Sequence, residues 1–390
     1  MGAMIITRLV LTNWRNFKSA DIRLRDRTYV LGPNASGKSN LLDVFRFLRD
    51  IAKPEGGGLQ KAVADRGGVS KVRCLHARNK PTYVRIEIEL SDNADTAEPR
   101  WRYILAFNSY GKVDQRPIVV TEQVYECGAL LINRPTDLDK TDRLRLTQTF
   151  LENVQENRSF RAIAEILTAV QYLHLVPQLL KFGDQIGGNR LEDDPFGQGF
   201  LERVARTPEI TRTARLNRIQ QALKGAIPQF DEIRFTKDEV TGRPHLEMRY
   251  AHHRPNAGWQ RENQFSDGTL RLLALLWSLM DGSGPLLLEE PELSLNDAIV
   301  RQIPLLLKRA RGSGKDRRQI IISTHSEAIT SNPGIDGRSV IVLEPQKEGT
   351  AVRPISEEER ESLEDGFTVA EVVLPKTRPA NVEQLTMPWR

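Results

Sequence analysis

Apolar residues along this chain follow two periods, and each period predicts a different kind of element. Residues 83–90 and 101–107 alternate between apolar and polar positions, which is typical of antiparallel strands with one solvated face. Residues 41–52 place their apolar positions at helical spacing instead. Two continuous apolar runs, 286–288 and 320–322, have the length of fully buried strands. The pattern therefore predicts an α/β protein with an antiparallel part.

The segment 207–228 predicts a helix with a defined start, because Thr207 suits the N-cap and Pro208 suits the first helical position. Its predicted apolar face consists of Leu216, Ile219 and Leu223. A basic stripe at a spacing of three, called the arginine stripe below, consists of Arg212, Arg215 and Arg218. The stripe has two open interpretations, a track for nucleic acid or an ordinary solvated face.

Composition places the chain among globular proteins that are not membrane-spanning. Its 390 residues are 39% hydrophobic and 27% charged, which is enough for two lobes around more than one core. Two cysteines, Cys74 and Cys127, cannot form a disulfide framework, and the apolar run 272–280 is too short to cross a bilayer. We therefore expect a cytoplasmic protein without a membrane partner. The net charge of +5 is compatible with DNA as a partner but does not require it.

A phosphate-binding loop follows the first buried strand. The spacing G-x-x-x-x-G-K-S fits Gly32, Gly37, Lys38 and Ser39, with the apolar strand RTYVL before it and a helix after it. In this motif the backbone N–H groups turn toward phosphate oxygens, the lysine reaches the β- and γ-phosphates, and the serine holds Mg²⁺. The predicted nucleotide-binding residues of the loop are Gly32, Pro33, Asn34, Ala35, Ser36, Gly37, Lys38, Ser39 and Asn40.

The acidic residues that should complete such a site come far downstream of the loop. Glu289 and Glu290 end the apolar run 286–288. The tripeptide 266–268, Ser-Asp-Gly, opens an apolar helix just before them, and His325 follows the strand 320–322. A long insertion therefore separates two halves of one predicted site.

This order of motifs resembles that of ABC-type ATPase heads, in which signature, Walker B acids, D-loop and switch histidine follow one another. An AAA+ module would place its acids close behind the phosphate-binding loop. Residues 5–24, IITRLVLTNWRNFKSADIRL, resemble the first strands of SMC and RecF heads. The phrases FSDGTLRLLAL and LLLEEPELSLN resemble the compact prokaryotic ATPases related to RecF, SMC and OLD proteins. The resemblance covers residues 4–355.

The resemblance implies the fold class of a P-loop NTPase. We expect an ABC-ATPase-like head with a mixed sheet, an antiparallel β subdomain and a helical lobe. The expected divisions are a nucleotide-binding lobe at 1–177, a helical lobe at 178–265 and the rest of the ATPase core at 266–355. The tail 356–390 begins with an acidic run and is predicted to be disordered.

The same resemblance implies ATP and Mg²⁺ as cofactors and assigns roles to the acids and the histidine. Glu289 is predicted to hold the metal together with Ser39. Glu290 is the predicted general base or water-positioning residue. Lys38 and His325 are predicted to contact the γ-phosphate. An acid pair without a cation is a costly arrangement in a buried place, which favours the functional interpretation.

Further residues are assigned by position in the SMC-like pattern. Gln178 is the candidate Q-loop residue that coordinates Mg²⁺, with Gln171 as the second candidate and an ordinary surface glutamine as an equal alternative. Arg15 and Asn16 lie where such heads flank the base and ribose. For Trp14, core packing is favoured over base stacking.

Two departures from the ABC pattern carry consequences. Asp267 stands where the signature usually has a glycine, so its charge must be offset nearby, with Arg271 as the candidate. Glu289 stands where most such heads carry an aspartate. Ser266 and Gly268 are expected to point at the γ-phosphate of a nucleotide on another subunit. That expectation implies a homodimer or higher oligomer joined by an ATP sandwich.

We consider three hypotheses for the cellular process that the ATPase serves. The first is a DNA-related role in genome maintenance or antiphage defence, with control of an effector such as a TOPRIM-type nuclease. The second is a transporter ATPase subunit, which the SMC-like opening strands disfavour. The third is a slow regulatory switch that binds ATP and rarely hydrolyses it.

Overall fold

The computed structural model describes residues 4–76, 82–110, 116–183, 191–251, 258–309 and 318–377. The chain folds into two compact units, each made of non-contiguous segments. The P-loop unit comprises Met1–Gln171, Ser283–Leu287 and Arg311–Arg390. The signature unit comprises Tyr172–Gly282 and Leu288–Ala310. This partition differs from the expected divisions, because residues 178–265, the signature helix and the acidic turn belong to one unit.

An antiparallel sheet forms one part of the P-loop unit, in the order β2-β1-β4-β5-β6-β7. Every neighbouring pair in it is antiparallel. It matches the predicted β subdomain. Its strands are β1 (Ile5–Trp14), β2 (Phe17–Arg23), β4 (Val84–Ser91), β5 (Trp101–Tyr110), β6 (Arg116–Glu126) and β7 (Ala129–Arg134).

The predicted solvated face of this sheet is only partly exposed to water. Glu87 and Glu89 are buried, with 3% and 7% exposure. Arginines cover them: Arg102 Nε lies 2.5 Å from Glu87 Oε1, and Arg8 Nη1 lies 2.9 Å from Glu89 Oε1. Charged partners on neighbouring strands thus replace solvent, an arrangement that alternation within one strand does not reveal.

The second large sheet is mixed and has the order β15-β14-β3-β13-β12-β8. The phosphate-binding loop follows its strand β3. Strands β13 and β14 both run parallel to β3, and β15 runs antiparallel to β14. The apolar runs predicted as buried strands are β12 and β13. The strands are β3 (Arg27–Leu31), β8 (Gln171–Leu173), β12 (Leu286–Glu289), β13 (Ile320–Thr324), β14 (Val340–Gln346) and β15 (Gly349–Pro354).

The helices of the P-loop unit are α1 (Lys38–Ala52), α2 (Leu59–Ala64), α3 (Val69–Val72), α4 (Asp137–Thr141), α5 (Arg161–Thr168), α12 (Glu327–Thr330), α13 (Glu357–Glu364) and α14 (Val369–Val372). Those of the signature unit are α6 (Pro177–Phe182), α7 (Phe200–Arg206), α8 (Glu209–Ala226), α9 (Asp267–Leu279), α10 (Asp297–Val300) and α11 (Ile303–Arg309). None of the helices among the described residues has the length and apolar character needed to cross a bilayer.

The predicted helix in 207–228 is α8, and it begins two residues after the predicted cap. Pro208 is the N-cap, and Thr207 has an extended conformation with ψ of 132°. Pro208, predicted as the first helical residue, is itself extended with ψ of 141°, so the helix begins at Glu209, one residue later than predicted. Its buried side chains are the predicted apolar face, Leu216, Ile219 and Leu223.

Two segments differ from the sequence predictions. The predicted helical lobe contains a three-stranded antiparallel sheet, β9 (Phe230–Lys237), β10 (Pro244–Tyr250) and β11 (Gln260–Arg261). The tail predicted as disordered instead forms α13, α14 and a 3₁₀ turn at Leu374–Thr377. Its last residues, 378–390, lie outside the described part of the chain.

Candidate functional site

The phosphate-binding loop occupies the turn between β3 and α1. Ala35 and Gly37 have left-handed backbone conformations, with φ of 62° and 98°. Alternation of left- and right-handed residues turns successive N–H groups toward one centre, which creates an anion-binding concavity. A Cβ at Gly37 would lie 2.1 Å from Asn16 Nδ2, so the close approach also requires glycine there.

Lys38 folds back over this loop. Its Nζ donates to the carbonyl oxygens of Gly32 at 2.8 Å and Pro33 at 3.1 Å, and the residue is 7% exposed. A buried ammonium beside inward-turned amides is suited to the negative charge of nucleotide phosphates. The loop residues therefore fit a nucleotide.

The side chain of Asn16 holds the backbone of the phosphate-binding loop in place through hydrogen bonds. Its Nδ2 donates to Ser36 O at 3.0 Å and to Thr350 Oγ1 at 2.7 Å, and its Oδ1 accepts from Asn40 Nδ2 at 2.8 Å. Thr350 Oγ1 also donates to Ser36 O at 2.9 Å. The predicted contact of Asn16 with the ribose stays a prediction. In the structure, these hydrogen bonds of Asn16 fix the loop backbone.

The neighbours of Asn16 also serve packing. Trp14 is fully buried, and its Nε1 donates to Asn40 O at 2.8 Å, in agreement with the favoured core role. Arg15 Nη2 lies 2.6 Å from Asp43 Oδ2, and Arg66 pairs with the same carboxylate at 2.9 Å. Arg15 is therefore engaged by α1, and its contact with the base stays a prediction.

His325 leaves the mixed sheet at the same edge as the loop. Leu31 of β3 is in register with Thr324 of the parallel strand β13. Gly32 and His325 are the next residues of the two strands, and the histidine side chain is exposed. This placement is compatible with its predicted role at the γ-phosphate.

In the signature unit, Glu289 is the last residue of β12 and its carboxylate accepts a hydrogen bond from the Tyr172 hydroxyl. Sequence reasoning missed Tyr172. The available signal was a tyrosine in a short apolar strand, because a buried phenol requires a polar partner.

Glu290 lies in a turn and not in the strand. Its φ of 46° is left-handed, an uncommon conformation for a residue with a side chain. The strand therefore ends at Glu289, and the two acids lie in different backbone environments. Arg271 fixes this turn, since its guanidinium donates to Glu290 O at 3.3 Å and to Leu175 O. Burial lowers the pKa of Arg271, while the nearby carboxylate of Glu292 acts in the opposite direction.

The signature residues begin α9. Ser266 is the N-cap, and its Oγ accepts from Thr269 N at 3.1 Å. A Cβ at Gly268 would lie 2.6 Å from Ser294 O in the turn after the acids, which explains the glycine. Replacement of Gly268 would therefore disturb packing as well as any phosphate contact.

Among the described residues, Lys181 and Gln178 donate to the Asp267 carboxylate, while Arg271, the predicted candidate, acts on that charge without a hydrogen bond. Lys181 Nζ lies 2.6 Å from Asp267 Oδ1, and Gln178 Nε2 lies 3.0 Å from Asp267 Oδ2. Gln178, the Q-loop candidate, thus contacts the signature. Gln171, the second candidate, accepts from Arg318 Nη2 at 2.7 Å in the P-loop unit.

Comparisons with known proteins agree with this arrangement. Residues 28–331 match the family described as "AAA domain, putative AbiEii toxin, Type IV TA system". The chain is 48% identical over 59 residues to the DNA replication and repair protein RecF of Allorhizobium ampelinum, a match that spans 15% of this chain and 14% of that protein.

Two solved structures have the same fold. An SMC head bound to the C-winged helix domain of ScpA aligns with a TM-score of 0.53 at 17% identity, covering 91% of this chain and 99% of that one. The SMC head of Pyrococcus furiosus, bound to the C-terminal domain of ScpA, aligns with a TM-score of 0.52 at 14% identity, covering 93% and 99%. The expected ABC-type head fold is confirmed. The chain belongs to this AAA-domain family and has the fold of an SMC head domain.

Proposed function

We propose that this protein binds ATP with Mg²⁺, hydrolyses it, and dimerises around it. The observation that carries the proposal is the buried Lys38 ammonium inside a loop whose residues Ala35 and Gly37 have left-handed backbone conformations. Ser39 would hold Mg²⁺, and the ion would neutralise charge on the phosphates. Glu289 stays a predicted metal ligand.

The chain's own residues divide the work. Lys38 and the loop amides bind the phosphates, and Asn16 keeps the loop in its bent form. Glu290 accepts a proton from the attacking water or orients it. Release of phosphate from ATP, dependent on Mg²⁺ and lost with a chelator, tests this proposal. Absence of such release would contradict the hydrolytic role.

The cellular role that we propose is DNA-related, with control of a partner effector. The family match and the short RecF match support it. A nuclease as effector and a place in antiphage defence are the finer forms of this proposal. Purification of the protein at its natural level with ATP, followed by assay of the bound fraction for nuclease activity, would test them.

The arginine stripe gives a specific prediction for DNA. Arg212 donates to Ala205 O and lies over the Phe235 ring, and Arg215 pairs with Asp281 at 2.8 Å. Both arginines are thus engaged inside the signature unit. Arg218 is exposed, and it is the member of the stripe best placed for a phosphate.

We expect double-stranded DNA to bind with an affinity that falls steeply with salt, with a logarithmic slope of about −0.9 per phosphate contact. Arg218→Gln should flatten that slope by about 0.9, the value of one contact. Fluorescence anisotropy across a salt series measures it, with exposed Arg158→Gln in the P-loop unit as control. Absence of binding at low salt, with and without ATP, would exclude DNA as a direct ligand.

Tyr172→Phe should weaken metal binding by about 10–100-fold, because a metal-binding carboxylate loses the donor that orients it. Electron paramagnetic resonance of Mn²⁺ with the protein and a non-hydrolysable ATP analogue measures this directly. Tyr250→Phe, in the same unit, is the matched control. Equal Mn²⁺ affinity in both variants would show that Tyr172 does not orient a metal ligand.

A further inference from the structure

The aspartate of the signature is held by two donors from one short helix. Gln178 and Lys181 are three positions apart on α6, and both reach the carboxylate of Asp267. The Lys181 side chain is 12% exposed and that of Asp267 is 39% exposed. The ion pair is therefore shielded on the lysine side and open to solvent on the aspartate side.

The pair His245 and Glu262, which lies near Lys181, is held by contacts of its own. A cavity beside α6 is lined by Lys181, His245 and Glu262, among other residues. His245 Nδ1 lies 2.8 Å from Glu262 Oε1, and Leu246 N donates to Glu262 Oε2 at 3.0 Å. These contacts occupy the Glu262 carboxylate, and the Lys181 ammonium pairs with Asp267 at 2.6 Å.

Arg271, another cation near the signature, has a different role. Arg271 follows Asp267 by one helical turn, but its guanidinium donates to the carbonyl oxygens of Leu175 and Glu290. It fixes backbone and does not contact the aspartate side chain. Lys181 is thus the cation in direct contact with Asp267 among the described residues, Arg271 acts on that charge from a distance, and Gln178 adds a dipole without a charge.

An unneutralised carboxylate at this position would oppose the proposed dimer. A phosphate and a carboxylate repel each other, and the repulsion is strong where an interface excludes water. The amino-terminal end of α9 otherwise favours an anion through its N–H groups and dipole. The sign of the local field at α9 thus depends on whether Asp267 is paired.

We propose that Lys181 is a positioning residue whose charge lets an aspartate occupy the signature while α9 receives the γ-phosphate of a nucleotide bound to a second copy. The inference rests on the proposed ATP-dependent dimer and deepens it. Lys181 acts through Asp267, so the loss of the lysine should be repaired by removal of the aspartate's charge. A lysine with a merely structural role would not be repaired in this way.

The test uses the full chain carrying Glu290→Gln, so that ATP is retained. We expect Lys181→Met to weaken ATP-dependent dimerisation at least about 10-fold, as for a lost partner of a charge pair. Affinity of the monomer for ATP should not change, because the P-loop is intact. Lys181→Met with Asp267→Asn should restore dimerisation to the parent level. Light scattering across a concentration series measures dimerisation, and calorimetry measures ATP affinity.

Three further variants distinguish the effect of losing the Lys181 charge from an effect of unfolding. Lys224→Met removes an exposed lysine of α8 in the same unit and should dimerise like the parent. Lys181→Gln keeps a donor without the charge and replaces Lys181→Met if thermal melting shows that the methionine variant unfolds. Lys181→Arg should retain dimerisation.

The possible outcomes distinguish a failure of this inference from a failure of the proposed function. If the parent dimerises with ATP and Lys181→Met does so equally, the role of Lys181 is wrong and the dimer stands. If the double variant is as defective as Lys181→Met, the lysine does not act through Asp267. If the parent shows no ATP-dependent dimer, the proposed dimer is wrong and the inference fails with it.

Discussion

Glu290→Gln is expected to lower the rate of ATP hydrolysis by about 10²–10⁴-fold, the usual contribution of a positioned general base. The amide keeps the shape of the side chain but cannot accept a proton from water. ATP should still bind, since Lys38 and the loop amides are unchanged. Phosphate release and ATP affinity, measured on the same preparation, separate the two effects.

The same variant should accumulate as an ATP-bound dimer, because the step that would release the two copies is slowed. Glu239→Gln, at an exposed position after β9, is the matched control and should hydrolyse ATP normally. If Glu290→Gln hydrolyses ATP at the parent rate and stays in one assembly state with or without ATP, the roles of Glu290 and of the dimer are both wrong.

Lys38→Ala is expected to abolish ATP binding. The change removes a buried ammonium that already lies within the concavity of the loop, 2.8 Å from Gly32 O. Without that charge, only the backbone amides of the loop replace the water that the phosphates lose on binding. Calorimetry with ATP and Mg²⁺ measures the loss.

A matched control for this variant is Lys71→Ala, which removes an exposed lysine of α3 in the same unit. Because Lys38 also contacts loop carbonyls, thermal melting must show that both variants are folded. Unchanged ATP affinity in folded Lys38→Ala would contradict the assignment of the loop.

The elements that sequence predicts well here are those encoded by local patterns. The loop is defined by a spacing of a few residues, and α1, β12 and β13 follow from continuous or periodic apolar positions. The contacts that tune the site are not local. Tyr172 and Glu289 are 117 positions apart, and Thr350 and Ser36 are 314 apart. No pattern within a segment specifies such partners.

The two structural surprises have different physical causes. In β10, Leu246 and Met248 alternate with Glu247 and Arg249 as in a strand, but the resemblance to ATPase heads assigned the whole segment to a helical lobe. In the tail, acidic residues suggested disorder, yet Glu359 is 1% exposed and pairs with Arg353 at 2.8 Å and Lys376 at 3.1 Å. Composition counts those charges but does not show that they are paired.

The place of β3 in the mixed sheet also bears on synthesis of the protein. This strand, which leads into the loop, lies between β13 and β14, whose first residues are Ile320 and Val340. Thr350, which donates a hydrogen bond to Ser36 O, also comes late in the 390-residue sequence. A ribosome makes the amino-terminal part first, so the loop sequence emerges long before its strand neighbours and Thr350. A nascent chain therefore cannot complete the nucleotide site until residue 350 has been made, and ATP binding marks a chain that has been translated at least that far.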